Sequence, residues 1–356
     1  MNQKTRILFV AEDPGGFNTL WPIIKRIMGT RNSPYNVRVI LAGVSRAIAR
    51  DVGIDFVDGD IETDDLSRFL DDERPELIVC GTSHGLSLDK KVLLWAREKD
   101  IRTMYIIDYW SDYRMRFSTP LTLDMMYLPD SICIIDEIML DAMIKEGFPK
   151  KILHITGNPF FDTFQNRTSA GTGNYIVFAS QPFSETYDDD DDHGRLSEIT
   201  IFSDYARVLE ECGNTMPVYI ALHPREKKKH KFDKIIANSK LNISITQEKT
   251  IDIARGARLI VGIRTMLLFE VAMLGKAVIS YQPGITSKDD VLVSNHLGVS
   301  TPAYSYQDLV VKIKEVLATE SLPKNLEAAR KKYIYNNSTE KVIVEICNLT
   351  STSKNP

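Results

Sequence analysis

The sequence predicts an α/β protein with two domains, each built on a parallel sheet that carries helices on both faces. Short β-rich apolar runs alternate with helical patterns from the start of the chain, as in strand–helix–strand units. The chain has 356 residues, too many for one compact core and about the number for two. The segment 165–173 is polar, contains glycine and lacks periodicity, so it marks the boundary between two such series.

The first series begins with a strand at Ile7–Ala11, the turn Glu12–Gly16 and an amphipathic helix from Phe17 to about Met28. Further strands are expected at Val37–Leu41, Phe56–Val57, Leu77–Cys80, Met104–Ile107, Ile132–Ile135 and Ile152–Thr156. We assign this domain to residues 1–165.

The second series occupies residues 174–335 and ends in helical patterns. Its strands are expected at Tyr175–Ala179, Val218–Leu222, Ile243–Ile245, Leu259–Val261 and Ala277–Ser280, and the last helices at Tyr306–Ala318, Leu326–Tyr333 and Lys341–Leu349. Because open α/β sheets bind ligands at the carboxyl ends of their strands, we expect a ligand cleft between these edges of the two domains.

The composition limits the classes of partner. With 48 acidic and 44 basic side chains the formal charge is −4, which argues against general electrostatic binding of nucleic acid or anionic lipid. The four cysteines have no C-x-x-C spacing, and neither a signal peptide nor a membrane span is expected from the sequence. A cytoplasmic protein is expected, and peripheral contact with the inner face of the membrane stays open.

The strand at Leu259–Val261 is followed by a turn that suits a diphosphate. Gly262 permits a tight turn, Thr265 is placed to cap the helix that Met266 begins, and Arg264 adds a cation beside the exposed N–H groups. Glu270, one and a half turns later, is placed to accept the hydroxyls of a ribose. The alternative is an ordinary strand-to-helix connection with Glu270 solvated or locally paired.

Two more strand ends in the same domain carry candidate donor-binding residues. His223 follows a strand, is held out of helical geometry by Pro224, and is placed to hold a phosphate oxygen and to act in catalysis. Ser180 and Gln181 likewise come directly after a strand, the first of the domain. The basic stretch 225–231 is interpreted as a solvated face.

In the first domain, the turn after the opening strand carries two carboxylates and two glycines. Carboxylates repel a pyrophosphate, so the turn is better suited to an acceptor hydroxyl or a general base. Asp13 is the candidate base, Glu12 is interpreted as a helix cap, and Gly15 and Gly16 are assigned to acceptor binding.

Two later strand ends complete the candidate acceptor site. His84 lies in the polar cluster 81–85, and the segment 108–117 concentrates aromatic, acidic and guanidinium groups. Rings that pack on C–H faces and charged groups that bind hydroxyls suit sugar recognition, for which the candidates are Asp108, Tyr109, Tyr113 and Arg116. The alternative for this segment is a buried aromatic corner under a loop.

The acidic run Asp188–Asp192 lacks the alternating spacing of a metal site. Five consecutive carboxylates repel one another, which favours a solvated loop, with a lid or regulatory contact as its alternative role. No metal or cofactor is therefore expected.

Several motifs together resemble the GT-B superfamily of glycosyltransferases and its nucleotide-sugar 2-epimerase relatives, over nearly the whole chain. The matching residues are Gly157-Asn158-Pro159 with Asp162, the pair His223-Pro224, and the run 261–265 followed by Glu270, Gly275 and Lys276. The resemblance implies two Rossmann-like domains, a nucleotide-sugar donor in the second, an acceptor in the first, metal-independent transfer, and a C-terminal helix 336–356 that packs back on the first domain.

The chain also departs from this pattern. Arg264 and Met266 stand where members usually carry serine or glycine, and the Asp-Ser-Gly-Gly pattern of the hydrolysing epimerases is missing. The first hypothesis is therefore a glycosyltransferase that transfers a sugar to a glycan or lipid-linked acceptor, with Asp13 as base. The alternatives are a nucleotide-sugar 2-epimerase or hydrolase of the same fold, and a nucleotide-binding protein without turnover.

Overall fold

A computed structural model of the chain describes residues 4–165, 173–186, 197–223, 226, 230–319 and 322–351. The chain divides into two compact units. The first contains Met1–Thr163 and Tyr333–Pro356, and the second contains Phe164–Lys332.

The described part of the first unit forms one sheet of parallel strands. These are β1 Thr5–Ala11, β2 Tyr35–Leu41, β3 Val57–Asp58, β4 Leu77–Gly81, β5 Arg102–Ile106, β6 Ser131–Ile134 and β7 Leu153–Ile155. Their order is β3-β2-β1-β4-β5-β6-β7, so the chain first moves outward from β1 and then resumes on its other side with β4.

The described part of the second unit repeats this topology. Its strands are β8 Ile176–Ala179, β9 Val218–Ala221, β10 Ile243–Ile245, β11 Leu259–Gly262, β12 Ala277–Tyr281 and β13 Thr301–Ala303, in the order β10-β9-β8-β11-β12-β13. The direction of strand addition therefore reverses between β8 and β11, as it does between β1 and β4. Ligands of open α/β sheets bind outside the carboxyl ends of strands at such a reversal, which we call the switch point of each unit.

Helices connect the strands. In the first unit they are α1 Pro14–Met28, α2 Ser45–Val52, α3 Thr63–Glu73, α4 Leu88–Glu98, α5 Tyr113–Arg116, α6 Glu137–Lys145 and α7 Pro159–Asp162. They continue with α8 Phe183–Thr186, α9 Glu198–Glu211, α10 Asp233–Asn238, α11 Thr250–Gly256, α12 Met266–Met273, α13 Val293–His296, α14 Tyr306–Ala318, α15 Lys324–Ile334 and α16 Ser338–Ser351. No helix in the described part of the chain is long and apolar enough to cross a membrane.

The C-terminal helix α16 belongs to the first unit, where it packs on α1 and α7. Val342 and Ile346 are buried in the same apolar cluster as Phe17. Asp162 accepts hydrogen bonds from two backbone N–H groups at the start of α16, those of Ser338 at 3.1 Å and Thr339 at 2.7 Å. Asp162, which follows the Gly157-Asn158-Pro159 motif, therefore anchors the start of the last helix.

The predicted fold class is confirmed: both units are Rossmann-like, with parallel sheets. The predicted strands lie within two residues of the observed ones. The strand β13 is absent from the sequence prediction because its three residues include Pro302, which disfavours a strand assignment. Its position at the edge of the sheet tolerates the missing N–H.

Candidate functional site

A pocket of about 550 Å³ opens at the carboxyl edge of the sheet in the second unit. Four strand ends contribute to it: those of β8, β9, β10 and β11. Its lining residues are Ser180, Leu222, His223, Gln247, Glu248, Lys249, Thr250, Ile251, Thr265 and Leu267. The volume falls within the range of small-molecule sites, roughly 300–1,000 Å³.

The lining combines apolar and polar surface. Leu222, Ile251 and Leu267 provide aliphatic surface against which a planar ring can pack. The hydroxyl of Ser180 is buried and has no hydrogen-bond partner among the described residues. An orphaned buried hydroxyl costs free energy unless another group satisfies it, so Ser180 is placed to form a hydrogen bond with a polar group in the pocket.

Gln181 holds the turn after β11 from the neighbouring strand end. Its amide Nε2 donates to the carbonyl of Arg264 at 2.7 Å, and its Oε1 accepts from the N–H of Arg264 at 2.7 Å. Both ends of the amide are therefore used within the protein. Gln181 is placed to shape the predicted diphosphate turn, and it is not among the residues that line the pocket.

The turn itself begins helix α12 as the sequence indicates. Thr265 is the N-cap, and its side chain accepts from the N–H of Leu267 at 3.3 Å. The guanidinium of Arg264 lies 5.3 Å from the ring centroid of Phe183, which is the range of a cation–π contact.

The other predicted residues of this turn occupy the strand end and the helix. Gly262 ends β11, and a Cβ there would lie 3.0 Å from a methyl group of Leu268, so the glycine allows the helix to pack closely. Met266 is the first residue of α12, and Glu270 is half-buried on the same helix. Neither lines the pocket.

His223 lines the pocket and sits in a turn that Glu226 closes. The N–H of Glu226 donates to the carbonyl of His223 at 2.9 Å, and the N–H of His223 donates to Oε1 of Glu226 at 3.3 Å. Pro224 and most of the basic stretch 225–231 lie outside the described residues, as do Asp188–Asp192.

In the first unit, the predicted base candidate lies at the switch point between β1 and β4. Asp13 is half-buried and follows β1. Its Oδ2 accepts from the N–H of His84 at 3.3 Å, and its own N–H donates to Oγ of Ser83 at 3.3 Å. The His84 side chain itself is exposed, and only its backbone N–H contacts the predicted base.

The two glycines predicted to bind an acceptor lie in the first turn of α1, packed against the protein itself. A Cβ on Gly15 would lie 2.0 Å from Oδ2 of Asp108, and one on Gly16 would lie 2.9 Å from the carbonyl oxygen of Thr82. Gly81 in turn would meet the backbone of Gly16 at 2.5 Å. Because glycines have no side chain, the start of α1 packs directly onto the end of β4.

Asp108 and Arg116 form a close ion pair next to this turn. The guanidinium of Arg116 donates to Oδ1 of Asp108 at 2.6 Å and to the hydroxyl of Thr82 at 2.7 Å. The Arg116 side chain is only 8% exposed and that of Asp108 20%. Asp108 and Arg116 were predicted to bind a sugar, and much of their hydrogen-bonding capacity is used within the unit instead.

The aromatic residues after β5 mostly form a buried corner, the alternative that the sequence left open. Trp110 stacks on Phe161 at a centroid distance of 6.1 Å and donates to Asp136 at 3.0 Å. Tyr113 is buried, and that burial raises the pKa of its hydroxyl well above the usual range. Tyr109 is half-buried and contacts Trp110 edge-on.

Glu12 caps a helix, but not the one predicted. Its Oε2 accepts from the N–H of Leu88 at 2.8 Å, at the start of α4, 76 residues away. The same helix start carries Asp89 and Lys90, which are both buried. The ammonium of Lys90 donates to the carbonyl of Ser83 at 2.8 Å, and burial lowers its pKa.

Within the described residues, no group of three or more histidine, cysteine or acidic side chains is arranged to hold a metal ion. Residues Asp188–Asp192, whose interpretation as a solvated loop stays a prediction, are outside that search.

The fold and the position of the pocket define a class of two-unit α/β proteins that is known from solved structures. Two of these are UDP-GlcNAc 2-epimerases. The enzyme from Neisseria meningitidis, solved with UDP-GlcNAc bound, has a TM-score of 0.69 and 12% identity, with 97% of this chain and 100% of that chain covered. The enzyme from Methanocaldococcus jannaschii has a TM-score of 0.71 and 13% identity over the same shares.

A glycosyltransferase-type structure also matches. MurG from Acinetobacter baumannii has a TM-score of 0.57 and 15% identity, with 97% of this chain and 99% of that chain covered. At these identities the likeness shows the fold alone, and it bears out the resemblance to the GT-B and 2-epimerase fold. No family model and no curated protein sequence matches the chain.

Proposed function

We propose that this protein is an enzyme that acts on a nucleotide-sugar and binds its nucleotide part in the pocket of the second unit. The observation that carries the proposal is the pocket at the switch point, where Ser180 offers a buried hydroxyl without a protein partner. His223 and the N-cap Thr265 flank it. Hydroxyls, imidazole and helix N–H groups can all donate hydrogen bonds to the oxygens of a phosphate or a ribose.

For the reaction, 2-epimerisation of the sugar is the better supported candidate. The solved enzymes from N. meningitidis and M. jannaschii, which this chain matches over nearly its full length, are UDP-GlcNAc 2-epimerases. Inversion of carbon 2 requires one group to remove its proton and one to return it. The half-buried Asp13 and the exposed His84 at the first switch point are the candidates for those steps.

Glycosyl transfer is the second candidate, and the departure of the turn 262–266 from the epimerase pattern favours it. In that case Asp13 would act as base on the hydroxyl of a glycan or lipid-linked acceptor. Both candidates use the same donor and neither invokes a metal or a cofactor. The cellular location of the protein, in the cytoplasm or at the membrane surface, stays a prediction.

Incubation with UDP-GlcNAc alone in D2O, followed by proton NMR, separates the candidates. A C2 epimer with deuterium at carbon 2 supports epimerisation, and release of UDP with free sugar supports hydrolysis. Turnover that appears only when a saccharide acceptor is added supports transfer. If neither turnover nor binding occurs with any nucleotide-sugar in a panel that varies base and sugar, the proposal is wrong.

Asp13→Asn tests the base assignment within the same assay. It should lower turnover by about 100-fold, since general base catalysis contributes roughly 100- to 10,000-fold. Asp51→Asn, which changes an exposed carboxylate on α2, is the matched control and should turn over normally. Near-normal turnover of Asp13→Asn would remove Asp13 from the mechanism.

A further inference from the structure

Three charged side chains are buried together in the second unit: Glu198, Glu226 and Lys231. The Lys231 side chain is 4% exposed and the two carboxylates are 0% exposed. The ammonium of Lys231 forms a short ion pair with Oε1 of Glu198 and lies 3.2 Å from Oε2 of Glu226. We call these three residues the buried triad.

Each end of the triad is bonded to a loop that follows a strand next to the pocket. Glu198 accepts from the N–H of Ser184 at 2.9 Å and from its hydroxyl at 2.6 Å, in the segment after β8. Glu226 accepts from the N–H of His223 at 3.3 Å, in the turn after β9. The triad thus links the segment that carries Ser180 to the turn that carries His223.

Burial of three charges is costly unless their geometry and hydrogen bonding compensate for lost hydration. Burial by itself would lower the pKa of Lys231, but the hydrogen bond that it donates to Glu198 and the charge of Glu226 outweigh burial, so the pKa is raised. The ammonium is therefore charged at neutral pH. Removal of any one partner would leave an uncompensated buried charge, so the three side chains hold one another in a fixed arrangement.

We propose that the buried triad positions His223 for its ligand, with Lys231 as a positioning residue that never touches the ligand. This inference rests on the proposed function. Glu226 closes the turn that presents His223 to the pocket, and Lys231 holds Glu226 against Glu198 at the start of α9. Loss of the ammonium leaves Glu226 without its countercharge and frees the turn.

The variants Lys231→Met and Lys231→Arg test this role, with Arg258→Met as the matched control. Arg258 is half-buried, precedes β11 at the opposite, amino edge of the sheet, and donates to the carbonyl of Val316 at 3.2 Å. All variants are the full chain, and melting temperatures identify those that fail to fold. Glu226→Gln, which keeps an oxygen to accept from His223 but removes the charge, serves if Lys231→Met does not fold.

The first readout is the ¹H–¹³C NMR spectrum of the histidine rings, with the His223 signal assigned from His223→Gln. We expect Lys231→Met to move or broaden the His223 signal, Lys231→Arg to restore it, and Arg258→Met to leave it in place. The second readout is the Kd for UDP by titration calorimetry. It should rise by about tenfold or more in Lys231→Met, because small displacements of positioned groups are costly, and stay within about twofold in Arg258→Met.

An unchanged His223 signal in Lys231→Met overturns the positioning role. A changed signal with an unchanged Kd for UDP also overturns it, since His223 would then be moved without consequence for the ligand. If the wild-type protein binds neither UDP nor another nucleoside diphosphate, the proposed function fails, and the NMR readout alone then shows whether the triad positions the turn.

Discussion

The switch points of the two units share one topology but differ in what their residues do. At the first, Arg116, Asp108 and Thr82 bond to one another, and α1 packs onto β4 without intervening side chains. At the second, the strand ends leave a pocket of about 550 Å³ and the hydroxyl of Ser180 without a partner. The same backbone arrangement therefore provides an edge whose polar groups bond to one another in one unit and an edge with an open pocket in the other.

The largest expected effect is at the ion pair of the first unit. Arg116→Met removes the partner of Asp108 and leaves that carboxylate unpaired in a mostly buried place. The free energy of unfolding should fall by about 3 kcal/mol, the cost of breaking a buried pair. Tryptophan fluorescence during urea unfolding measures it, because the three tryptophans, Trp21, Trp95 and Trp110, all belong to the first unit.

The corresponding change in the second unit is Arg264→Met. Its guanidinium stacks on Phe183, and a cation–π contact contributes roughly 0.5–1 kcal/mol at such a site. Hydrogen exchange of peptides from the second unit measures this cost. Equal losses in the two variants would contradict the contrast between an edge whose polar groups bond to one another and an edge with an open pocket.

The second prediction concerns pH and the buried carboxyl of Asp89. Burial raises its pKa from 3.8 to about 6. Because the pKa of Asp89 is higher in the folded state, the contribution of this carboxyl to the free energy of unfolding is largest below about pH 4. That contribution is lost as the pH rises through 6. The loss should be on the order of 2–3 kcal/mol.

Asp89→Asn checks this pH dependence, since an amide does not titrate in that range. Its tryptophan-monitored stability should lack the decline between pH 4 and pH 6 that the wild-type protein shows. All other ionisable groups are the same in both proteins, so the comparison isolates the contribution of Asp89. An equally steep decline in the variant would show that another group is responsible.

The third prediction tests the close packing of α1 on β4. In Gly81→Ala the new methyl group would lie 2.5 Å from the backbone of Gly16, and backbone cannot move aside cheaply. We expect a loss of about 2 kcal/mol in the free energy of unfolding. The control is Gly85→Ala, where nothing lies within 4 Å and only the positive φ of +75° is strained, at about 1 kcal/mol.

The smallest effect on stability is expected for Ser180→Ala. An unpartnered buried hydroxyl does not stabilise the fold, so the free energy of unfolding should stay the same or rise by up to about 1 kcal/mol. The Kd for UDP should rise by about fivefold, the equivalent of one lost hydrogen bond. Ser280→Ala is the control: its hydroxyl already donates to Ile263 at 2.8 Å, so its removal should lower stability instead. The reverse pattern would contradict a ligand role for Ser180.

Much of the fold and part of the site could be predicted because the relevant signals are local. Strand ends followed by glycine, histidine or serine are visible in the sequence, and Ser180, His223 and Thr265 do line the pocket. Gln247–Ile251 escaped prediction because they form no motif, and only the pairing of β10 with β9 brings them to the pocket.

Pairing between distant residues also explains why the interpretation of Glu12 was wrong. Glu12 looks like the cap of the helix that follows it, yet it bonds to Leu88 because β4 lies next to β1. The acceptor role of Arg116 stays a prediction, and the structure adds that its guanidinium donates to Asp108 and to the distant Thr82.

The central claim is that the second switch point binds a nucleotide, and hydrogen exchange with and without UDP tests it most directly. The account predicts slower exchange in peptides that contain 180–184, 247–251 and 265–268, while the peptides that contain 12–17 and 81–87 exchange as before. Protection that is confined to the first unit, or the absence of protection at saturating concentrations of every nucleoside diphosphate, would contradict it.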